Sequence, residues 1–225
     1  MRVTVERAAV LKALAHVQSV VERRNTIPIL SNVLIEAEDD GLRLMATDLD
    51  LQVVEMVPAT TVQRGATTVS AHTIFDIVRK LPDGSQIELT LADGRLSVAA
   101  GRSRFQLATL PRDDFPIFSE GDLPFGFTIP AATLRQTIDR TRFAISTEET
   151  RYYLNGIFMH VTDEAKPALR AVATDGHRLA RVAIERPEGA DGMPDVIIPR
   201  KAVAEIRKLL DEMDGDVRVT LSQSK

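Results

Sequence analysis

The sequence predicts an α+β protein of antiparallel sheets backed by helices, in which one domain pattern occurs twice. Three observations predict it: short alternating runs joined by Asp-Gly turns, apolar residues at helical spacing, and a stepwise match between two halves of the chain. Residues 2–5 alternate as a strand, and Val10, Leu14, Val17 and Val21 follow at helical spacing. Pro28 sets a limit that this helix cannot cross. Strand-like runs come next at 31–37, 42–47 and 51–57, the first two joined by Asp39-Asp40-Gly41. The order then recurs, with a short strand at 67–70 and a helix marked by Ile74, Ile77, Val78 and Leu81. Pro82-Asp83-Gly84 stops that helix, and strands 86–91, 95–100 and 104–109 complete a second β-α-β-β-β unit. Residues 110–126, with three prolines and four acidic residues, read as an exposed linker.

Beyond the linker the pattern restarts. Thr4-Val5 matches Thr128-Ile129, and residues 30–34 match Leu154-Asn155-Gly156-Ile157-Phe158, all at a shift of 124. Ala46-Thr47-Asp48 falls on Ala173-Thr174-Asp175 at 127, Arg79-Lys80-Leu81 on Arg207-Lys208-Leu209 at 128, and Ile87 on Val217 at 130. A shift that grows only at turns is the mark of a structural duplication. The expected domains are 1–118 and 127–225. The second lacks counterparts for the last two strands of the first, so the chain is expected to be a piece of a longer protein.

Composition narrows the chemistry. Net charge is −4, 44% of residues are hydrophobic, and only ten are aromatic, which implies an aliphatic core. The absence of cysteine excludes disulfides and thiolate chemistry. No apolar run approaches the length of a membrane span and no leader precedes residue 2, so a soluble, cytoplasmic protein is expected. The charge is uneven: the four expected helices (7–24, 72–81, 131–144 and 200–213) each carry a basic surplus and together hold +7, leaving −11 elsewhere. Basic helices on an acidic body suit contact with a polyanion, although Lys and Arg are also common on ordinary helix surfaces. With no base-reading motif, such contact should be phosphate-directed and independent of sequence.

Catalytic and metal signatures are not evident. His16, His72, His160 and His177 lack metal-ligand spacing, and no phosphate loop or nucleophile elbow occurs. Asp175-Gly176-His177-Arg178 is the most enzyme-like segment, but its counterpart Thr47-Asp48-Leu49-Asp50 has no histidine and reads as a turn. Arg151-Tyr152-Tyr153 holds the only tyrosines and suits a phosphate contact. Two readings follow: a non-enzymatic DNA-associated factor, or a monomeric phosphate-contacting enzyme or binding module on a duplicated domain.

Four motifs favour the first. R-Y-Y-L-N-G (151–156), A-T-D-G-H-R-L-A (173–180), P-R-K (199–201) and G-R-S-R-F-x-L-x-T-L-P (101–111) resemble those of the bacterial DNA polymerase III β subunits, the sliding clamps. The resemblance runs in order along the chain. It implies the DNA-clamp fold, three similar domains per chain with the third absent here, and a head-to-tail homodimeric ring around double-stranded DNA. It implies no catalytic residue, cofactor or metal. The implied partners, besides DNA and a second copy, are the polymerase III catalytic subunit, the clamp loader, and other polymerases and repair proteins that insert a short peptide motif. The implied DNA-binding residues are Arg24, His72, Glu148, Tyr152 and Tyr153, where Glu148 replaces a family Gln and His72 a family Arg. The implied peptide groove holds Leu154, Thr174, Gly176, His177, Arg178 and Leu179, with its other wall outside this chain. The implied dimer edge holds Arg95, Arg102, Arg104, Phe105 and Leu107, and a family Lys is Thr73 here.

Overall fold

The protein is seen in a computed structural model that describes residues 1–23, 25–118, 121–148 and 150–222. It divides into two compact units, Met1–Phe118 and Ser119–Lys225.

The first unit runs β1 (Arg2–Glu6), α1 (Arg7–Val20), β2 (Asn32–Ala37), β3 (Leu42–Thr47), β4 (Gln52–Val57), β5 (Ala59–Gln63), β6 (Gly65–Ser70), α2 (Ala71–Lys80), β7 (Gln86–Ala92), β8 (Arg95–Ala100) and β9 (Ser103–Leu110). Both helices start on side-chain caps. The Glu6 carboxylate accepts the Ala9 N–H at 2.9 Å, and the Ser70 hydroxyl accepts that of Thr73. Bonds from the Ala8 and Ala9 amides hold the Glu6 carboxyl below its ordinary pKa. α1 ends at Val20, because Val21 turns extended and donates to the Gln18 carbonyl, so the helix is shorter than its periodicity suggests.

Nine antiparallel strands form one sheet in the order β4-β3-β2-β6-β9-β8-β7-β1-β5. α1 turns Val10, Leu14 and Val17 onto it, where they meet Val33, Ile35 and Leu44 in an aliphatic core. Each such side chain contributes about 1.5 to 3 kcal/mol on burial. The sequence reading missed β5, which lies beyond Pro58 and pairs with β1 at the sheet edge, Val3 opposite Thr61. Only a neighbouring strand makes that short Thr-rich run a strand.

The linker expectation is corrected too. Residues 111–118 lie on the first unit, and Phe115 is buried with Ile29, Leu30, Leu34 and Met45 on the outer face of β2 and β3. Arg112 Nε donates to Glu36 at 2.8 Å, which raises the Arg112 pKa. β2 is therefore buried on both faces.

The second unit repeats the plan with β10 (Phe125–Pro130), α3 (Ala131–Thr141), β11 (Gly156–Val161), β12 (Ala168–Thr174), β13 (Leu179–Glu185), β14 (Val196–Pro199), α4 (Arg200–Leu209) and β15 (Asp216–Leu221). β11 lies 124 residues after β2, as the sequence match gives, whereas α4 lies 129 after α2, end for end, one residue more than the match of Arg79-Lys80-Leu81 with Arg207-Lys208-Leu209 implies. The order β13-β12-β11-β14 reproduces β4-β3-β2-β6, and the pair β10-β15 reproduces β1-β7. A loop over residues 186–195 follows β13, where β5 follows β4 in the first unit, and it buries Ala190 and Met193 in the core. Among the described residues no strand joins β14 to β15, the place that β9 and β8 fill between β6 and β7.

Phe115→Ala is expected to lower the opening free energy of the first unit by about 3 kcal/mol through the cavity it leaves. Amide hydrogen exchange at Leu34 and Met45 reads this directly, and a solvated linker would give no change.

Candidate functional site

The richest surface is on the second unit, where two turns meet. In the first turn, residues 146–155, the Ser146 N–H donates to the Leu154 carbonyl at 3.1 Å, closing the loop. Tyr152–Leu154 form a single 3-10 turn. Tyr152 and Tyr153 are 79% and 57% exposed, their rings edge to face at 5.6 Å. An amphipathic ring held at the surface is matched to a ligand with both polar and apolar parts. The Glu148 carboxylate sits beside them but accepts from Arg151 Nε at 2.7 Å, so an internal cation answers its charge.

The second turn links β12 to β13. The Asp175 carboxylate accepts the N–H groups of Arg178 at 2.9 Å and His177 at 3.0 Å, and its other oxygen accepts Arg178 Nε at 2.9 Å. These bonds, the Arg178 amide foremost, pull the Asp175 pKa down to about 2. The Thr174 hydroxyl donates to the Arg178 carbonyl and accepts the Gly176 amide, so Thr174 and Asp175 build the turn between them. Asp175 is thus a turn former, and no catalytic pairing with the His177 ring is present. Gly176 has φ +90° and a Cβ there would lie 3.2 Å from Arg151 Nη1, so the two turns abut. Leu154, Thr174, Gly176, His177, Arg178 and Leu179 occupy these abutting turns, with Leu179 strongly exposed. The structure adds Phe143, for which no sequence motif speaks: its ring centroid lies 5.6 Å from the Arg178 guanidinium carbon.

The first unit holds the same turn with other side chains. Asp48 accepts the amides of Asp50 and Leu51, and Thr47 accepts that of Leu49. Leu49, at φ +83°, stands where Gly176 stands. A leucine in that left-handed conformation costs about 1 to 2 kcal/mol.

The remaining assigned residues scatter over the first unit. His72, half-buried on α2, has Nε2 3.2 Å from the Val21 carbonyl oxygen, while Arg24 lies outside the described residues. Phe105 and Leu107 stand on one face of β9, opposite Val98 and Leu96 of β8, and Leu107 packs on the core. Arg95 and Arg104 line a depression of about 480 Å³ on the other face with Arg2, Glu88 and Gln106, and Arg102 is exposed in the β8–β9 turn. β9 pairs with β8 throughout but with β6 only at Thr109 and Leu110, leaving the edge over 103–108 without a strand partner among the described residues.

Much of the helical charge is paired. Arg207 Nε bonds Asp139 at 2.8 Å across α3 and α4, raising its own pKa and lowering that of Asp139. Arg79 pairs with Asp76 and Lys208 with Glu205. Among the described residues Arg23, Lys80, Arg140 and Arg200 are exposed without a carboxylate at ion-pair distance. No three His, Asp or Glu side chains converge as a metal site among the described residues, and no described helix is long and apolar enough to cross a membrane.

The Asp175 turn gives a pH prediction. Its carboxyl is depressed from about 4 when unfolded, so its contribution is complete above that value and is lost as pH falls through the folded value of about 2. The Arg178 amide shift is expected to follow the Asp175 carboxyl and titrate with that lower midpoint by NMR, and a midpoint near the ordinary carboxyl value of about 4 would remove the bonds that hold it down.

Comparison with known proteins places this geometry. Residues 1–119 match the N-terminal domain of the DNA polymerase III beta subunit, and residues 128–225 its central domain. The chain is 53% identical over 228 residues to the beta sliding clamp of Caulobacter vibrioides, covering 100% of this chain and 61% of that protein. It is 41% identical to the beta sliding clamp of Escherichia coli K12, covering 100% of this chain and 60% of that one. The crystal structure of a DnaN sliding clamp from Bartonella birtlesii bound to griselimycin superposes with a TM-score of 0.97 at 54% identity, over 99% of this chain and 60% of that one. The chain thus spans about 60% of the length of these relatives. Matched in order by both domain models, it belongs to the DNA polymerase III beta subunit family.

Proposed function

We propose that these two units are part of a non-catalytic processivity clamp, which encircles duplex DNA as a head-to-tail dimeric ring and tethers the replicative polymerase. The observation that carries this reading is the tandem: one chain folds the same helix-backed unit twice, and both copies match consecutive family domains. In a closed ring, retention is topological, so contacts to phosphate need only be weak and independent of sequence. A tethered polymerase then gains effective concentration at the primer end.

In this reading Tyr152 and Tyr153, with Arg24 and the unpaired cations Arg140 and Arg200, face DNA. Glu148 serves as the counter-ion of Arg151 rather than as a phosphate contact, because its carboxylate is already bonded to that guanidinium. The two abutting turns of the second unit form one wall of a groove for a short, partly apolar peptide from the polymerase, the clamp loader or repair proteins. Phe143 extends that wall, since its ring orients Arg178. The open edge of β9 accepts a strand of a second copy, with Phe105 and Leu107 packing across and the arginines meeting acidic partners. Such a protein works in the cytoplasm, where the replicated DNA lies.

The test uses a chain of the relatives' full length carrying these units, loaded onto nicked circular DNA by its clamp loader with ATP. Linearising the circle is expected to release the protein, whereas equal retention on both forms defeats the ring. Phe105→Ala in the same protein is expected to weaken dimerisation by at least about tenfold, as loss of an interface anchor does. Sedimentation at falling concentration reads this, and an unchanged dimer removes β9 from the interface.

A further inference from the structure

The duplication leaves a second apolar surface, on the first unit, that the clamp reading does not use. Leu49 is 47% exposed although it sits in a left-handed backbone conformation, in a turn whose sister in the second unit takes glycine there. The residue is thus unfavourable in its backbone and again in its solvation, and glycine would relieve both. Ile27, the counterpart of Arg151, is 45% exposed at the head of the segment that carries Ile29 and Leu30 into the small core with Met45 of β3, the strand that leads to Leu49. The third member is Ile117, 47% exposed on the segment that crosses β2. It is held near the same turn, since the neighbouring Phe118 amide donates to Gln52 Oε1 at 3.3 Å and Gln52 pairs with Thr47. Two of the three flank the small core of Ile29, Leu30, Leu34, Met45 and Phe115 in the chain, Ile27 two residues before Ile29 and Ile117 two residues after Phe115.

The turn itself differs in charge from its sister. Where the second unit has His177 and Arg178, the first has Asp50 and Leu51. Asp113 and Asp114 on the crossing segment are exposed, and the cation between them and the sheet, Arg112, is committed to Glu36.

We propose that Ile27, Leu49 and Ile117 form a docking surface on the first unit for a short peptide carrying an apolar anchor flanked by lysine or arginine. The anchor covers the three exposed side chains and the flanking cations meet Asp50, Asp113 and Asp114. The surface selects against peptides with acidic flanks. It stands independently of the groove assigned to the second unit.

The test titrates the 225-residue chain with fluorescein-labelled Lys-Lys-Leu-Phe-Lys-Lys, followed by anisotropy and by methyl NMR. Two control peptides replace Leu-Phe by Ala-Ala, or the four lysines by glutamates. Saturable binding at least about tenfold tighter than either control is expected, with methyl shifts at Ile27, Leu49 and Ile117. Leu49→Gly keeps the turn, because glycine adopts its conformation without strain, so its thermal midpoint should be unchanged or raised. Its affinity for the lysine-flanked peptide should fall about tenfold. Equal affinity of Leu49→Gly and the unaltered chain, or equal binding of the Ala-Ala control, overturns the proposal. So do methyl shifts confined to Leu154 and Leu179, which report on the second unit instead.

Discussion

A strand covered on both faces offers no solvated side to a charge, yet β2 carries Glu36 one residue from its end, 7% exposed. An ion left unpaired in such a place costs several kcal/mol, so cations must come to it. Arg43 reaches it from β3 at 3.1 Å and Arg112 from the crossing segment at 2.8 Å. The second of these fixes where the chain runs after β9. Once Arg112 is set, Phe115 falls over Leu34 and Met45, and Phe118 is brought to Gln52. The second unit carries His160 at the matching position in place of the carboxylate, its ring edge to face with that of Phe158 at 4.8 Å.

Duplication preserved the frame and freed the surface. The turn after β3 and the turn after β12 share their Thr-Asp hydrogen bonding, because those bonds are local and any pair of flanking strands can use them. The residues they hold out differ in sign and polarity. Helix charge shows a similar economy. Pairs such as Arg207 with Asp139 and Arg79 with Asp76 consume much of the basic surplus, and the exposed remainder is sparse. Scattered single cations hold a polyanion loosely, which favours movement along it over a fixed grip.

The duplication was legible because strand alternation and helix spacing survive divergence, so matched segments kept their offsets even where side chains changed. β5 was not legible: its Thr and Val residues become a strand only against β1, and Pro58 disguises its start. Phe115 was hidden for the opposite reason, since prolines and acids around it spoke for exposure while one aromatic spoke for burial. The site divides the same way. The Asp175 turn could be read from its own residues, because its bonds span three positions. The approach of Phe143 to Arg178 depends on how α3 packs against β12 and β13, and no local pattern encodes that.

The half-paired β9 has a consequence for which strands it admits. An unpaired edge of six residues is a template for any passing strand, including another copy of itself. Two such edges meeting antiparallel would bring the arginines at 102 and 104 of one copy against the cationic surface of the other. Like charges facing across a ladder repel, so this edge is a poor template for its own kind however freely its backbone groups are presented.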